Sequence, residues 1–165
     1  MIALDARYPG IVDSAQAAIE HVVSGIAVHR YHPKENLVRV VASSPLWPRI
    51  FPQHGPGRKH MRRIELVDWQ IDVTHTYPQD LLRGLIHSDG CRTTNRFKVE
   101  LPSGRVGEYQ YPRYFFSNLS DDIRRIFCDH CELLGIRWTQ SNPRNISISH
   151  RTSVGLLDEF IGPKW

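Results

Sequence analysis

Apolar residues recur at helical spacing in two long segments of the chain and alternate with polar ones in the stretches that follow. In the first segment, from about Ile11 to Val23, the residues Ile11, Ala15, Ala18, Ile19, Val22 and Val23 form a stripe with a period of about 3.6 residues. Ser24-Gly25-Ile26 ends it. The second, from about Leu119 to Leu134, repeats the stripe with Leu119, Ile123, Ile126, Phe127, Cys131 and Leu134, leaves Arg124, Arg125 and Asp129 outside, and ends at Gly135-Ile136. Each helix is followed by a hairpin, AVHRYHPKEN into LVRVVASS and RWTQSNPRN into ISISHRTS, with His-Pro and Asn-Pro as the turn signals. A short helix then runs to Phe51 in one case and to Phe160 in the other.

The two halves therefore align. Residues 11–51 lie on residues 119–160, His32-Pro33-Lys34 falls on Asn142-Pro143-Arg144, and Ile2-Ala3-Leu4-Asp5 falls on Phe115-Phe116-Ser117-Asn118. Ahead of the second copy stand a further helix and a hairpin, residues 92–101 and 108–117, joined by Pro102-Ser103-Gly104-Arg105. Nothing equivalent precedes the first copy, so the chain is expected to start inside its first repeat. The predicted organisation is an incomplete repeat over 1–57, a linker over 58–77 and a complete repeat over 78–165.

The extra helix, within DLLRGLIHSDGC at residues 80–91, has two oddities. Pro78 and Asp80 mark its start and Gly90 stands where a C′ glycine stops a helix, which puts Asp89 in the last turn. An acid there faces the negative pole of the helix dipole, at a cost of about 0.3–1 kcal/mol. Gly84 in mid-helix costs about 1 kcal/mol relative to alanine. Gly84 and Ser88 share a face with Leu81 and Leu85, and small residues at that spacing suit either a tightly packed core helix or a close helix pair.

Residues 82–90, LRGLIHSDG, resemble the LAGLIDADG motif of homing endonucleases at Leu82, Gly84, Leu85, Ile86, Asp89 and Gly90, and depart from it at Arg83, His87 and Ser88. The resemblance implies an α+β fold of two α-β-β-α-β-β-α repeats, the first incomplete here, with an antiparallel β saddle packed on helices. It also implies that Asp89, with Gly90, holds divalent metal (Mg²⁺) for cleavage of double-stranded DNA. Leu81, Gly84, Leu85 and Ser88 would then form a helix interface. That family uses two motif helices and this chain has one, so the resemblance further implies a homodimer or a longer parent protein. The other reading it leaves open is a DNA-binding or regulatory module that no longer cuts.

Charge agrees with a polyanion partner without demanding one: the chain has 165 residues, 21 Lys and Arg against 17 Asp and Glu, nine histidines and a net charge of +4. No long apolar run and no leader-like N-terminus stand out, which reads as a soluble cytoplasmic protein with no membrane partner. Three cysteines, Cys91, Cys128 and Cys131, are too few for a disulfide framework, and Cys-Asp-His-Cys lacks the second ligand pair of a zinc site.

In TTNRFKVEL and the arginine before it, Arg92, Thr94, Arg96, Lys98 and Glu100 alternate with Thr93, Asn95, Phe97, Val99 and Leu101. The second set is expected to pack on helices and the first to face outward, as a solvated face or as a ribbon for the major groove. The other hairpins add Arg137, Gln140, Arg144 and Asn145 in the second copy, and Arg30, Lys34 and Arg39 in the first. Arg58 and Lys59, in the basic linker, are candidate phosphate contacts.

Overall fold

Proline and serine set the helix starts. Pro9 and Pro78 occupy the first positions of α1 (Pro9–Val22) and α4 (Pro78–Asp89), where a missing N–H costs nothing. Ser120 caps α5 (Asp121–Leu133), its Oγ accepting from the Ile123 N–H. The computed structural model describes residues 1–100 and 102–164. Its remaining elements are β1 (Ile2–Asp5), β2 (Val28–Lys34), β3 (Leu37–Ala42), α2 (Trp47–Ile50), α3 (Asp68–Thr76), β4 (Gly90–Glu100), β5 (Val106–Ser117), β6 (Thr139–Asn142), β7 (Asn145–Ile148) and α6 (Arg151–Phe160). The fold is of the α+β class with two antiparallel sheets, ordered β1-β3-β2 and β4-β5-β7-β6.

The chain divides into two units, Met1–Pro56 with the tail from Pro163, and Gly57–Gly162. The first is built on a small core of Val12, Val38 and Val40, lined by Leu4, Ala6, Ile19 and Val28. In α1 the inward face runs through Val12, Ile19 and Val23, while Val22, placed on the stripe by sequence, is 54% exposed. The second unit reads α-β-β-α-β-β-α from α4 to α6. Its core joins Leu82 and Ile86 of α4, Tyr114 and Phe116 of β5, Phe127 of α5, Ile146 and Ile148 of β7, and Val154 and Leu157 of α6. Phe116 stacks on Phe127 with ring centroids 4.3 Å apart. The segment 58–77 carries a 3-10 turn at Lys59–Met61 and then α3. It is tied to α5 by the Ile64 N–H, which donates to Asp122 Oδ2 at 2.8 Å, and by edge-on contact of the His75 and His130 rings.

The two sheets share a pairing pattern, β1-β3-β2 beside β5-β7-β6, and their registers differ from the alignment drawn by sequence. Lys34 and Leu37 flank the first hairpin turn as Asn142 and Asn145 flank the second, so the turns are Glu35-Asn36 and Pro143-Arg144. Lys34, laid by sequence on Arg144, is thus the counterpart of Asn142. Pro33 was a misleading marker because it lies inside β2, an edge strand, beside the register shift between Tyr31 and Lys34, where its missing N–H is tolerated. Likewise Ile2 pairs with Val40 as Tyr114 pairs with Ile148, so Ile2–Asp5 corresponds to Tyr114–Ser117, one residue from the sequence alignment. That residue decides the faces. In the corrected frame Leu4 matches Phe116, and Val38 and Val40 match Ile146 and Ile148.

Candidate functional site

The helix α4 turns Leu82 and Ile86 fully inward, packs Leu85 against the same core and half-buries Leu81. Gly84 and Ser88 are exposed. A Cβ at Gly84 would meet nothing within 4 Å, so the tightly packed core helix is not what this glycine serves. The face it shares with Ser88 is open.

Gly90 has a different reason from the one its position in the sequence predicts. Its φ is −112°, an extended conformation open to any residue, and α4 runs into β4 without a loop. The constraint is space: a Cβ there would stand 2.9 Å from both the Ile86 Cα and the Phe115 carbonyl oxygen. Glycine is what lets the last turn of α4 lie against β5.

Asp89, at this junction, is exposed. Its Oδ2 accepts from Asn118 Nδ2 at 3.0 Å, while the Ser88 hydroxyl, 3.4 Å away, has its closer acceptor in the Leu85 carbonyl at 2.9 Å. The partner of this misplaced acid is therefore an amide. Asn118 is itself held: its N–H donates to the Arg144 carbonyl at 3.0 Å, its Oδ1 accepts from the Ser120 N–H at 2.9 Å, and its carbonyl accepts from the Arg124 guanidinium. Arg124, expected on the outside of α5, is 7% exposed, because its guanidinium folds back over the helix start to pair with Asp121 and Asn118. Neither Asn118 nor Arg124 stood out in the sequence, since both act through a turn that brings α5 to the end of α4. Arg83, a departure from the motif, donates to the Phe160 carbonyl at 2.7 Å and so caps the end of α6.

The β4–β5 ribbon keeps the predicted alternation with its faces reversed. Arg92 stands opposite Tyr114, a core residue, and so shares the helix-side face with Thr94, Arg96, Lys98 and Glu100. Its guanidinium is spent on Asp158 of α6, with Nε to Oδ1 at 2.7 Å and Nη2 to Oδ2 at 2.9 Å, and Tyr114 donates its hydroxyl to the same carboxylate at 2.6 Å. The Arg92 hydrogen bond, helped by that of Tyr114, holds the Asp158 carboxyl below the usual range, while burial and then Asp158 itself push the Tyr114 phenol up. Arg92 is a structural anchor here, not an outward-facing contact. Thr94, Arg96 and Lys98 escape the helices because only Tyr114–Ser117 of β5 pair with a third strand, leaving the far ribbon two-stranded and exposed.

The opposite face carries Thr93, Asn95, Phe97 and Val99, which were expected to pack on helices. They are exposed, Phe97 by 41% and Val99 by 40%. Phe97 packs on Tyr109 and Tyr111 instead. Leu101, assigned to the same set, lies outside the described residues.

Arg30 repeats the pattern of Arg92, pairing with Asp13 of α1 at 2.8 Å and with Gln16, so its cation also faces a helix. Lys34 and Arg39 are exposed, as are Arg58, Lys59, Arg137, Gln140 and Arg144. Asn145 is partly buried and accepts from Ser117 Oγ at 2.6 Å. Cys128 and Cys131 are free, buried thiols, Cys128 being pushed up to about 12 chiefly by burial, which makes them packing residues.

Among the described residues no three of His, Cys, Asp and Glu come together as a metal cage, and no helix is long and apolar enough to cross a membrane. No family model matches this chain, and no curated protein matches it either.

Proposed function

We propose that this chain is a DNA-binding protein of the LAGLIDADG type that hydrolyses double-stranded DNA with Mg²⁺ when two motif helices meet. The observation that carries the reading is the open face of α4: a Cβ at Gly84 would meet nothing within 4 Å, and the same helix delivers the exposed Asp89 to the root of a long ribbon. A second copy packing through Leu81, Gly84, Leu85 and Ser88 would bring two Asp89 carboxylates together. The exposed Trp69 and Val73 of the preceding α3 add apolar area for that association.

The residues suit the metal in kind. Mg²⁺ takes hard oxygen ligands and keeps several waters, and Asp89 offers a carboxylate with Gly90 next to it at the start of β4. When bound, the ion supplies positive charge for the leaving oxygen and an activated water. The chain's own part is positional: Asn118, fixed by Arg124 and the Arg144 carbonyl, holds the carboxylate at the helix end. Arg96 and Lys98 on the ribbon, with Arg137, Gln140, Arg144, Lys34, Arg39, Arg58 and Lys59, are the exposed groups available to DNA.

A second reading is favoured by one observation, that Asp89 already has a partner in Asn118 within its own chain. A protein that binds DNA without cutting it needs nothing more. Plasmid nicking with Mg²⁺ beside a duplex mobility-shift assay separates the two. For an active enzyme, Asp89→Asn abolishes nicking and keeps both binding and the metal-free melting temperature. A wild-type protein that shifts duplex and never nicks it leaves the binding module standing. A large loss of melting temperature in Asp89→Asn would make Asp89 a structural anchor and end its metal assignment.

A further inference from the structure

The far end of the β4–β5 ribbon carries three aromatic rings on the face away from the helices. Phe97 and Tyr109 are cross-strand partners with centroids 5.7 Å apart, and Tyr111 lies 5.6 Å from Phe97 and 6.3 Å from Tyr109. Their planes are within 23° of one another, and the two tyrosines are within 5° of parallel. Part of this serves the ribbon itself, since two strands alone are marginal and a cross-strand aromatic pair stabilises them. The Phe97–Tyr109 pair answers that need. Tyr111 stands opposite the polar Asn95 and is 48% exposed, so it adds ring surface to solvent beyond what the pair requires.

Charge selects the occupant. The ladder positions of this face hold Arg113 and no acid, because Glu100 and Glu108 both stand on the other face. Arg96 and Lys98 stand on that other face too, opposite Gln110 and Glu108, so Arg113 is the cation that shares the face of the rings. Near-parallel rings, Phe97 and Tyr111 exposed and Tyr109 half-buried, beside Arg113 and the polar Thr93 and Asn95, suit a flat apolar ligand strung on a polyanion. In a duplex the flat faces of the bases are hidden by stacking. In a single strand they are free.

We infer that the Phe97–Tyr109–Tyr111 face binds single-stranded nucleic acid, the unpaired bases stacking on Tyr111 and its neighbours while Arg113 meets the phosphates. This rests on the nucleic-acid reading of the ribbon and is independent of cleavage, of Asp89 and of dimerisation.

Fluorescence anisotropy of the full chain with labelled oligothymidine, oligouridine and a DNA duplex tests it. The wild type binds the single strands, and Tyr111→Leu, which keeps an apolar side chain and removes the ring, weakens that binding about tenfold, given the ~1–3 kcal/mol of one base–aromatic stack. Tyr111→Phe binds as the wild type does, and this rescue excludes loss of the ribbon as the cause. Preference for oligothymidine or for oligouridine identifies DNA or RNA as the source, and either supports the inference. Wild-type protein that binds duplex and neither oligonucleotide overturns it and leaves the duplex function intact. Equal single-strand affinity in Tyr111→Leu overturns it too. Failure to bind any of the three ligands ends both readings.

Discussion

Gly84 and Gly90 belong to the same motif and have opposite jobs. Gly90 is sterically required, so Gly90→Ala forces the Ile86 and Phe115 backbones to give way and should cost about 1–3 kcal/mol of stability in denaturant titration. Gly84 is sterically free within its own chain. Gly84→Ala should therefore raise the stability of the isolated chain by up to about 1 kcal/mol through helix propensity alone. The bulkier Gly84→Leu should abolish self-association, read as mass in solution, wherever the open face is the contact. An unchanged mass in a protein that does associate would place the contact elsewhere. Asp89 shows why the residue scale misleads by itself: its cost at the helix end was legible, but its partner, Asn118, lies on a turn that only folding brings near.

A shared carboxylate joins three elements where the sheet meets α6. Arg92, Tyr114 and Asp158 link β4, β5 and α6 through one carboxylate, in bonds of the charge-assisted kind. The Asp158 carboxyl is held below its usual range by the Arg92 hydrogen bond first. A depressed carboxyl contributes stability above its unfolded pKa, near 3.9, that is lost as pH falls through the folded value. The melting temperature of Asp158→Asn should accordingly lie below that of the wild type at pH 7, with the gap closing in acid below about pH 4. A gap that stays constant with pH would mean that shape, not charge, is what Asp158 supplies. The ribbon beyond this anchor is free of it. Arg96→Ala with Lys98→Ala should leave melting unchanged and reduce the salt dependence of nucleic-acid binding, at a slope of about −0.9 per lost phosphate contact on duplex DNA. An unaltered slope would remove both residues from the interface.

At the scale of the whole molecule, the same strand-helix-hairpin-helix plan occurs twice with very different cores. Three buried valines form the centre of the first unit, whereas the second centres on Tyr114 and Phe116 of β5, Phe127 of α5, and Leu, Ile and Val of α4, α6 and β7. Small domains bury too little apolar surface to be more than marginal by themselves. A fragment of residues 57–162 should unfold cooperatively in denaturant, while one of residues 1–56 should show no cooperative transition. Cooperative unfolding of the shorter fragment would mean that its small core suffices.

By itself the sequence determined the two amphipathic helices, the hairpins that follow them and the helix that ends at Asp89, because periodicity and turn residues act over a few neighbours; the α+β class came from the motif resemblance. Pro33 drew the alignment of its two halves to the wrong place, a proline in an edge strand being locally indistinguishable from one in a turn. The tertiary structure alone decided which face of the ribbon meets the helices. Alternation specifies two faces and leaves open which is inward until the strand is registered against Tyr114 and Phe116. That registration sent Arg92 to Asp158 and, with no helix to cover it, left the ring of Phe97 to Tyr109, Tyr111 and solvent.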